Sequence, residues 1–334
     1  MSDESTLGKH DQSQADPKDH NAELKKFLQS KWFRVSFTVI IAAAAIYAFS
    51  REISTQELEG AFTDSNLWWV LAAAIVGTFT WIGAAIPLMA FCPVKVGWKD
   101  ATLIQIASTF IDVAAPAGMG SVAVHLRYMV KRGVSGASAT AALLLIEVSQ
   151  FVGSILLLIV SLLFTRMDPH IQFPLQNSMI VLGIIVVIAI VIALLPKFRK
   201  PLLAKFKEWW EGMRPTLAWA WRHPKAQWTA IGGVVIQSAA SAIALQLCLL
   251  ALGHEIPFPL ALSVYIIAST VGSMVPTPGG IGSAEAAYTA ALVLVGVPAG
   301  VALSAVILFR VVTFYGQVPI GWIGWQRLNK REMI

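Results

Sequence analysis

Four ionisable residues, Asp112, Glu147, Glu285 and Arg310, fall inside stretches that are otherwise apolar. At the centre of a bilayer such a group costs from about 2.5 kcal/mol upward, so each is a functional candidate. Arg310 could grip an anionic head group through its planar fork of donors. Glu147 or Glu285 could then handle a proton or a cationic group. Glu285 follows Gly279-Gly280-Ile281-Gly282-Ser283 and opens a helix, so capping that N-terminus is its alternative role. Asp112 precedes the other glycine-rich turn, the first in the chain, Pro116-Ala117-Gly118-Met119-Gly120, where it could equally hydrogen-bond freed amides. The N–H groups of Gly118, Gly120, Gly279, Gly280 and Gly282 could cradle a phosphate. Glycine also serves close helix packing. Arg127, with His125 beside it, lies near the mouth of the first turn, where it would receive phosphate or set topology.

Other chemistry leaves no signature. The chain has no H-E-x-x-H, no G-x-S-x-G elbow, no phosphate-binding Walker sequence and no Cys/His metal spacing. The expectation is a protein that is not an enzyme and needs neither metal nor cofactor. Cys92 and Cys248 stand at or within apolar segments and are expected to be small core residues without a disulfide.

The elements that must position these residues follow from composition. Of 334 residues, 56% are hydrophobic and 13% charged, against about 45–50% and about 25% in soluble domains. Mean hydropathy is +0.67. These values exclude an ordinary soluble enzyme, a disulfide scaffold and a disordered chain. They indicate an all-α polytopic membrane protein. The net charge of +6 does not point to nucleic acid, because the Lys and Arg residues flank hydrophobic spans and there set topology.

Six stretches are long enough to cross: Trp32–Ser50, Leu67–Phe91, Ala137–Thr165, Met179–Leu195, Trp228–Leu252 and Ala299–Trp325. Two more are broken. Ala101–Ala115 stops at the first glycine turn and returns over Ser121–Val130. Leu260–Val275 stops at Pro276-Thr-Pro-Gly-Gly280 and returns over Ser283–Val297. At 1.5 Å per residue such limbs fall short of the roughly 30 Å hydrocarbon core. The expectation is therefore about six full spans plus two re-entrant Pro/Gly-tipped hairpins, with kinked full spans as the alternative. Residues 1–30 are expected to be a disordered cytoplasmic tail, and residues 31–328 the membrane domain. Within that domain, residues 196–227 suit a basic, Trp-rich amphipathic helix in the cytoplasmic interface.

Charge assigns the sides. With the N-terminus inside, twenty Lys and Arg residues of the loops fall on the cytoplasmic side and only Arg51 and Arg166 outside, a strong positive-inside bias. Both termini are then cytoplasmic, in a multi-pass protein of the cell membrane. An internal repeat joins residues 101–165 to residues 260–325. Ala107-Ser-Thr109 matches Ala268-Ser-Thr270, Gly118-Met-Gly-Ser121 matches Gly280-Ile-Gly-Ser283, and Phe151 and Gly153 match Phe314 and Gly316. Glu147 and Arg310 occupy equivalent positions, where they could pair. The first hairpin approaches from the cytoplasm and the second from outside, so the repeat is inverted, the arrangement of many secondary transporters.

The segment Pro276-Thr-Pro-Gly-Gly-Ile-Gly-Ser-Ala-Glu285, with Gly296-Val297 and Arg310 after it, resembles the lysylphosphatidylglycerol synthase transmembrane family of flippase-like membrane proteins. Pro116, Gly120, Arg127, Arg132-Gly-Val134 and Glu147 resemble the family's weaker first motif. The resemblance implies a stand-alone lipid-translocating part without the synthase domain. An acidic residue that often follows the first hairpin's glycine is replaced here by Ser121-Val122, which places more weight on Glu285. The expected activity is movement of an anionic lipid between leaflets of the cytoplasmic membrane. Candidate lipids are an aminoacylated or other phospholipid, or a polyprenyl-phosphate-linked lipid. The alternative is a non-transporting membrane subunit that positions a lipid-modifying enzyme or glycosyltransferase. A lipid-synthesising partner and a homo-oligomer both remain open.

Overall fold

The computed structural model describes residues 65–113, 115, 119–166, 211–275 and 277–334. The expected tail, the spans expected over Trp32–Ser50 and Met179–Leu195, residues 196–210 of the basic loop, and Pro116, Ala117 and Gly118 lie outside the described residues. Among the described residues no strand forms, and the regular elements are helices.

Helix α1 (Leu67–Phe91) starts at Asn66, whose side-chain oxygen accepts the Trp68 N–H at 3.1 Å. Among the described residues four helical stretches are long and apolar enough to cross a membrane: α1, Gly136–Thr165, Pro224–Ala251 and Ala299–Lys330, with mean hydropathies of 1.9, 2.4, 2.0 and 1.8. In α1 the apolar residues run around the whole circumference, as in a helix surrounded by apolar material. It packs antiparallel to α5. The Asn66 N–H meets the Ala251 carbonyl at 2.7 Å, while a Cβ on Gly83 would lie 2.5 Å from the Gln237 nitrogen. The two backbones approach this closely only because neither Gly83 nor Gly233 carries a side chain.

Between these long helices sit two pairs of short ones. The first pair is α2 (Trp98–Asp112) and α3 (Met119–Lys131). Helix α4 (Gly136–Arg166) and α5 (Pro224–Ala251) follow, and then the second pair, α6 (Phe258–Met274) and α7 (Ser283–Leu294). The outer ends of the first pair, through Ala101, Tyr128, Met129 and Val134, share an apolar cluster with Phe91 of α1 and Ala230 of α5. The outer ends of the second pair, through Leu260, Ala261, Leu292 and Val297, cluster with Val70 and Ala73 of α1 and Leu249 and Ala251 of α5. Because α1 and α5 are antiparallel, these clusters lie at opposite ends of the bundle. The pairs therefore point their turns at each other, and the turns touch. The Gly279 N–H donates to the Ala115 carbonyl at 3.2 Å.

The expected continuous span over Ala299–Trp325 is broken. Helix α8 (Ala299–Thr313) ends at Phe314, a single 3-10 turn covers Tyr315–Gln317, and α9 (Val318–Lys330) continues. Pro319 has no N–H to give the Tyr315 carbonyl, so a straight helix loses a bond there. Helix α9 then lies on α2 through Gly321 and Gly324, where a Cβ would come within 2.9 Å of Ile106. At the foot of this contact Lys131 Nζ donates to the Ile334 carbonyl at 2.9 Å, and Arg331 faces Asp100 at 3.6 Å. Cys92 and Cys248 are free thiols. Burial raises the Cys92 thiol above its ordinary pKa.

Candidate functional site

Three interruptions of helix converge beside Gly279: the turn of each short pair and the break after α8. The second turn needs glycine, since Gly279, Gly280 and Gly282 have φ of +63°, +66° and +81°, a region closed to most side chains. Ser283 anchors the turn, its hydroxyl donating to the Gly272 carbonyl at 3.1 Å and lying 2.9 Å from the Thr277 hydroxyl.

Glu285 stands in the first turn of α7, and its carboxylate is used on both sides. Oε2 accepts the Gly282 N–H at 2.8 Å, stabilising the helix N-terminus as a carboxylate should. Oε1 accepts Arg310 Nε at 2.6 Å and the Tyr315 hydroxyl at 3.0 Å. Arg310 reaches from α8 and also donates through Nη2 to the Gly279 carbonyl at 3.0 Å. Its guanidinium lies over the Phe314 ring, 4.2 Å from the centroid, and 5.3 Å from that of Tyr315, in cation–π geometry. Glu285 is 6% and Arg310 9% exposed. A pair buried to this degree is stable only with its spare donors and acceptors filled, and the turn carbonyl, the helix amide and Tyr315 fill them.

The first turn is held differently. Asp112, at the end of α2, accepts the Ser121 N–H of α3 at 2.7 Å. A Cβ on Gly120 would lie 2.7 Å from the Asp112 nitrogen and 2.8 Å from its Oδ1. Asp112 thus bonds an amide freed at the start of α3, the structural alternative offered by the sequence. Gly118 lies outside the described residues.

Arg310, Glu285, Gly279, Gly280 and Gly282 therefore come together, and Asp112 and Gly120 lie at the turn that touches them. Glu147 and Arg127 do not join. Both are exposed, Glu147 on α4 beside the outward Leu144, Val148 and Phe151. The ion partner of Arg310 among the described residues is Glu285, on the same half of the repeat. Sequence reasoning missed Phe314 and Tyr315, which complete the ion pair. Gly316 and Pro319 in the last span were the available signal, because they mark the break that turns both rings toward the site.

A groove of about 580 Å³ runs away from this centre between α7 and α8, lined by Gly282, Glu285, Ala286, Thr289, Ala290, Val293, Leu294, Leu303 and Ile307. Glu285 and Thr289 are its polar side chains, and the rest of its lining is apolar or glycine. Among the described residues no group of three or more His, Cys, Asp or Glu is placed to hold a metal ion.

A family model described as the lysylphosphatidylglycerol synthase TM region matches residues 35–321. A protein of Methanothermobacter thermautotrophicus, named a UPF0104 membrane protein, is 29% identical over 102 residues, which are 29% of this chain and 30% of that relative. The aligned part thus spans less than a third of the relative's length.

Proposed function

Because the chain belongs to the lysylphosphatidylglycerol synthase TM-region family, we propose that it carries a lipid with an anionic head group between the leaflets of the cell membrane. The lipid is an aminoacylated or other phospholipid, or a polyprenyl-phosphate-linked lipid. The observation that carries this reading is the meeting of two oppositely directed helix turns at the buried Arg310–Glu285 pair, beside an apolar groove. Limbs of 12 to 17 residues rise about 18–26 Å, too little for a bilayer core of about 30 Å. That length supports re-entrant hairpins reaching the midplane from the two sides. Irregular backbone at that depth is tolerated where it lines a cavity, and inverted repeats of this kind place their substrate there.

Side assignment follows from charge. Lys95, Lys99, Lys131, Arg132, Lys225 and Lys330 gather at the end built with the first pair, which makes that end cytoplasmic by the positive-inside rule. Exposed tryptophans mark both ends, Trp68 on one and Trp98, Trp221 and Trp228 on the other, as interfacial anchors do. In the proposed cycle the head group phosphate competes with Glu285 for Arg310, so the strap between α7 and α8 opens as the lipid arrives. The acyl chains stay in the groove and the bilayer.

The test is movement of labelled lipid in reconstituted vesicles. The wild-type chain is expected to move lipid, and Glu285→Gln and Arg310→Lys, which keep size and one hydrogen bond, to slow it at least roughly tenfold. Equal rates in all three sink the reading. The reading of a non-transporting subunit draws on the 85% exposure of Trp221 in the helical segment 211–222. It predicts loss of partner binding on Trp221→Ala with no lipid movement by any form.

A further inference from the structure

The first helix pair carries a row of polar groups that the ion-pair site does not use. Ser121, His125 and Tyr128 stand at i, i+4 and i+7 of α3, with Arg132 just past its end, so they share one helix face. His125 is 7% exposed and Tyr128 fully buried. His125 Nε2 and the Tyr128 hydroxyl have no hydrogen-bond partner among the described residues, and neither has Thr102 Oγ1 on α2. Folded interiors leave few polar groups so. Of the five such atoms among the described residues, three fall on this pair of helices, so the pattern is local.

The surroundings define both ends of the row. Arg132 lies 5.0 Å from the centroid of the Tyr128 ring, and Asp100 of α2 and Cys92 after α1 also face that residue. Helix α4 turns Ala139, Ala142 and Leu143 to the same cluster, and the chain end turns Met333 and Ile334 to it. No charged side chain among the described residues acts on His125. At the other end Ser121 binds Asp112, which adjoins the contact between the two turns. Steps of four and three residues rise about 6 and 4.5 Å along the helix axis, so neighbouring members of the row stand on successive turns of one face. Beyond the turns lie Tyr315 and Glu285, and then the groove, where Thr289 Oγ1 is a fourth unpartnered atom.

We infer that Tyr128, His125 and Asp112 form a water-linked proton path from the basic end of the molecule to the meeting point of the turns, so that a proton gradient drives lipid movement. A proton from water joins one ring nitrogen of His125 while the proton on the other nitrogen leaves for the Asp112 carboxylate. Asp112 becomes the carboxylic acid; its proton then passes toward Glu285, which restores Asp112, and a flip of the His125 ring restores its starting tautomer. No electron moves and no bond other than those to hydrogen changes. The coupling rests on the lipid-moving reading, whereas the proton path itself does not.

The test uses the full chain in phosphatidylglycerol–phosphatidylethanolamine vesicles that hold a pH-sensitive dye. An imposed pH gradient is applied with the membrane potential clamped, and labelled-lipid movement is followed in the same vesicles. The wild-type chain is expected to admit protons faster than protein-free vesicles, and His125→Gln and Tyr128→Phe to lose roughly tenfold or more of that excess. Lipid movement should quicken with the gradient in the wild type only. Tyr128→Phe removes an unpartnered polar atom, so a purely structural role predicts equal or higher thermal stability for it and unchanged proton traffic in both variants. Protons admitted no faster than in protein-free vesicles, or equally by all three forms, overturn the path. Proton traffic without lipid movement in the wild type overturns the lipid reading and leaves the path standing. Lipid movement indifferent to the gradient overturns the coupling.

Discussion

The two helix turns solve one problem with different residues. Each short return helix begins deep in the bundle with freed amides, and each brings a carboxylate to them. In the second turn the carboxylate belongs to the return helix itself, because Glu285 reaches back to the Gly282 N–H. In the first it comes from the preceding helix, where Asp112 takes the Ser121 N–H. The repeat places Ala123 where the second half has Glu285, so the acid has changed helix while its task has stayed. The second acid is also tied to Arg310, and the first forms no ion pair among the described residues. The two halves that the sequence repeat equates thus differ in their charges. The ionic strap belongs to one half, and the buried Thr102, His125 and Tyr128 atoms without a hydrogen-bond partner among the described residues belong to the other.

The largest effect that would sharpen this contrast is expected from the strap. Arg310→Ala leaves Glu285 buried beside Tyr315 without its cation and should cost about 3–5 kcal/mol of stability, read as thermal unfolding in detergent. Combining Arg310→Met with Glu285→Gln should cost clearly less than the sum of the two single changes, because neither charge is then stranded. Additive losses would show that the two residues act separately.

Glycine substitutions come next and separate crowding from backbone strain. Gly120→Ala drives a Cβ into Asp112 and should cost about 1–3 kcal/mol through overpacking. Gly280→Ala meets only Ala284 Cβ at 3.7 Å but sits at φ +66°, so its cost of about 1–2 kcal/mol is one of conformation.

A smaller effect tests the exchange of acids directly. Asp112→Ser should cost about 0.5–2 kcal/mol through the lost cap, and Ala123→Glu in that background should recover part of it by rebuilding the arrangement of the second turn. Failure to recover anything would mean that Asp112 does more than cap. The smallest change is expected from Glu147→Gln on exposed α4, within about 0.5 kcal/mol of the wild type. If this variant moves lipid normally in vesicles, Glu147 has no part in the site.

Much of this was legible in the sequence because it depends on local composition. The breaks at Pro and Gly, the ends of α1, α4 and α5 to within four residues, and the crowding of Lys and Arg at one end follow from propensity and from the cost of charge in an apolar medium. Glu285 was likewise legible as a helix cap, since a capping carboxylate needs only its own helix. Which charge meets which was not legible. The repeat equates Glu147 with Arg310, but equivalence under a pseudo-two-fold axis says nothing about distance from that axis or about which helix face turns inward. Helix α4 runs unbroken for 31 residues and shows Glu147 outward. Helix α8 breaks at Phe314, turns Arg310 to the interior and brings Tyr315 with it. Residue order and hydropathy determined where helices run and stop. Only packing decided that Arg310 bonds a carboxylate 25 residues away, because that choice depends on a kink, a helix rotation and a contact between two distant turns.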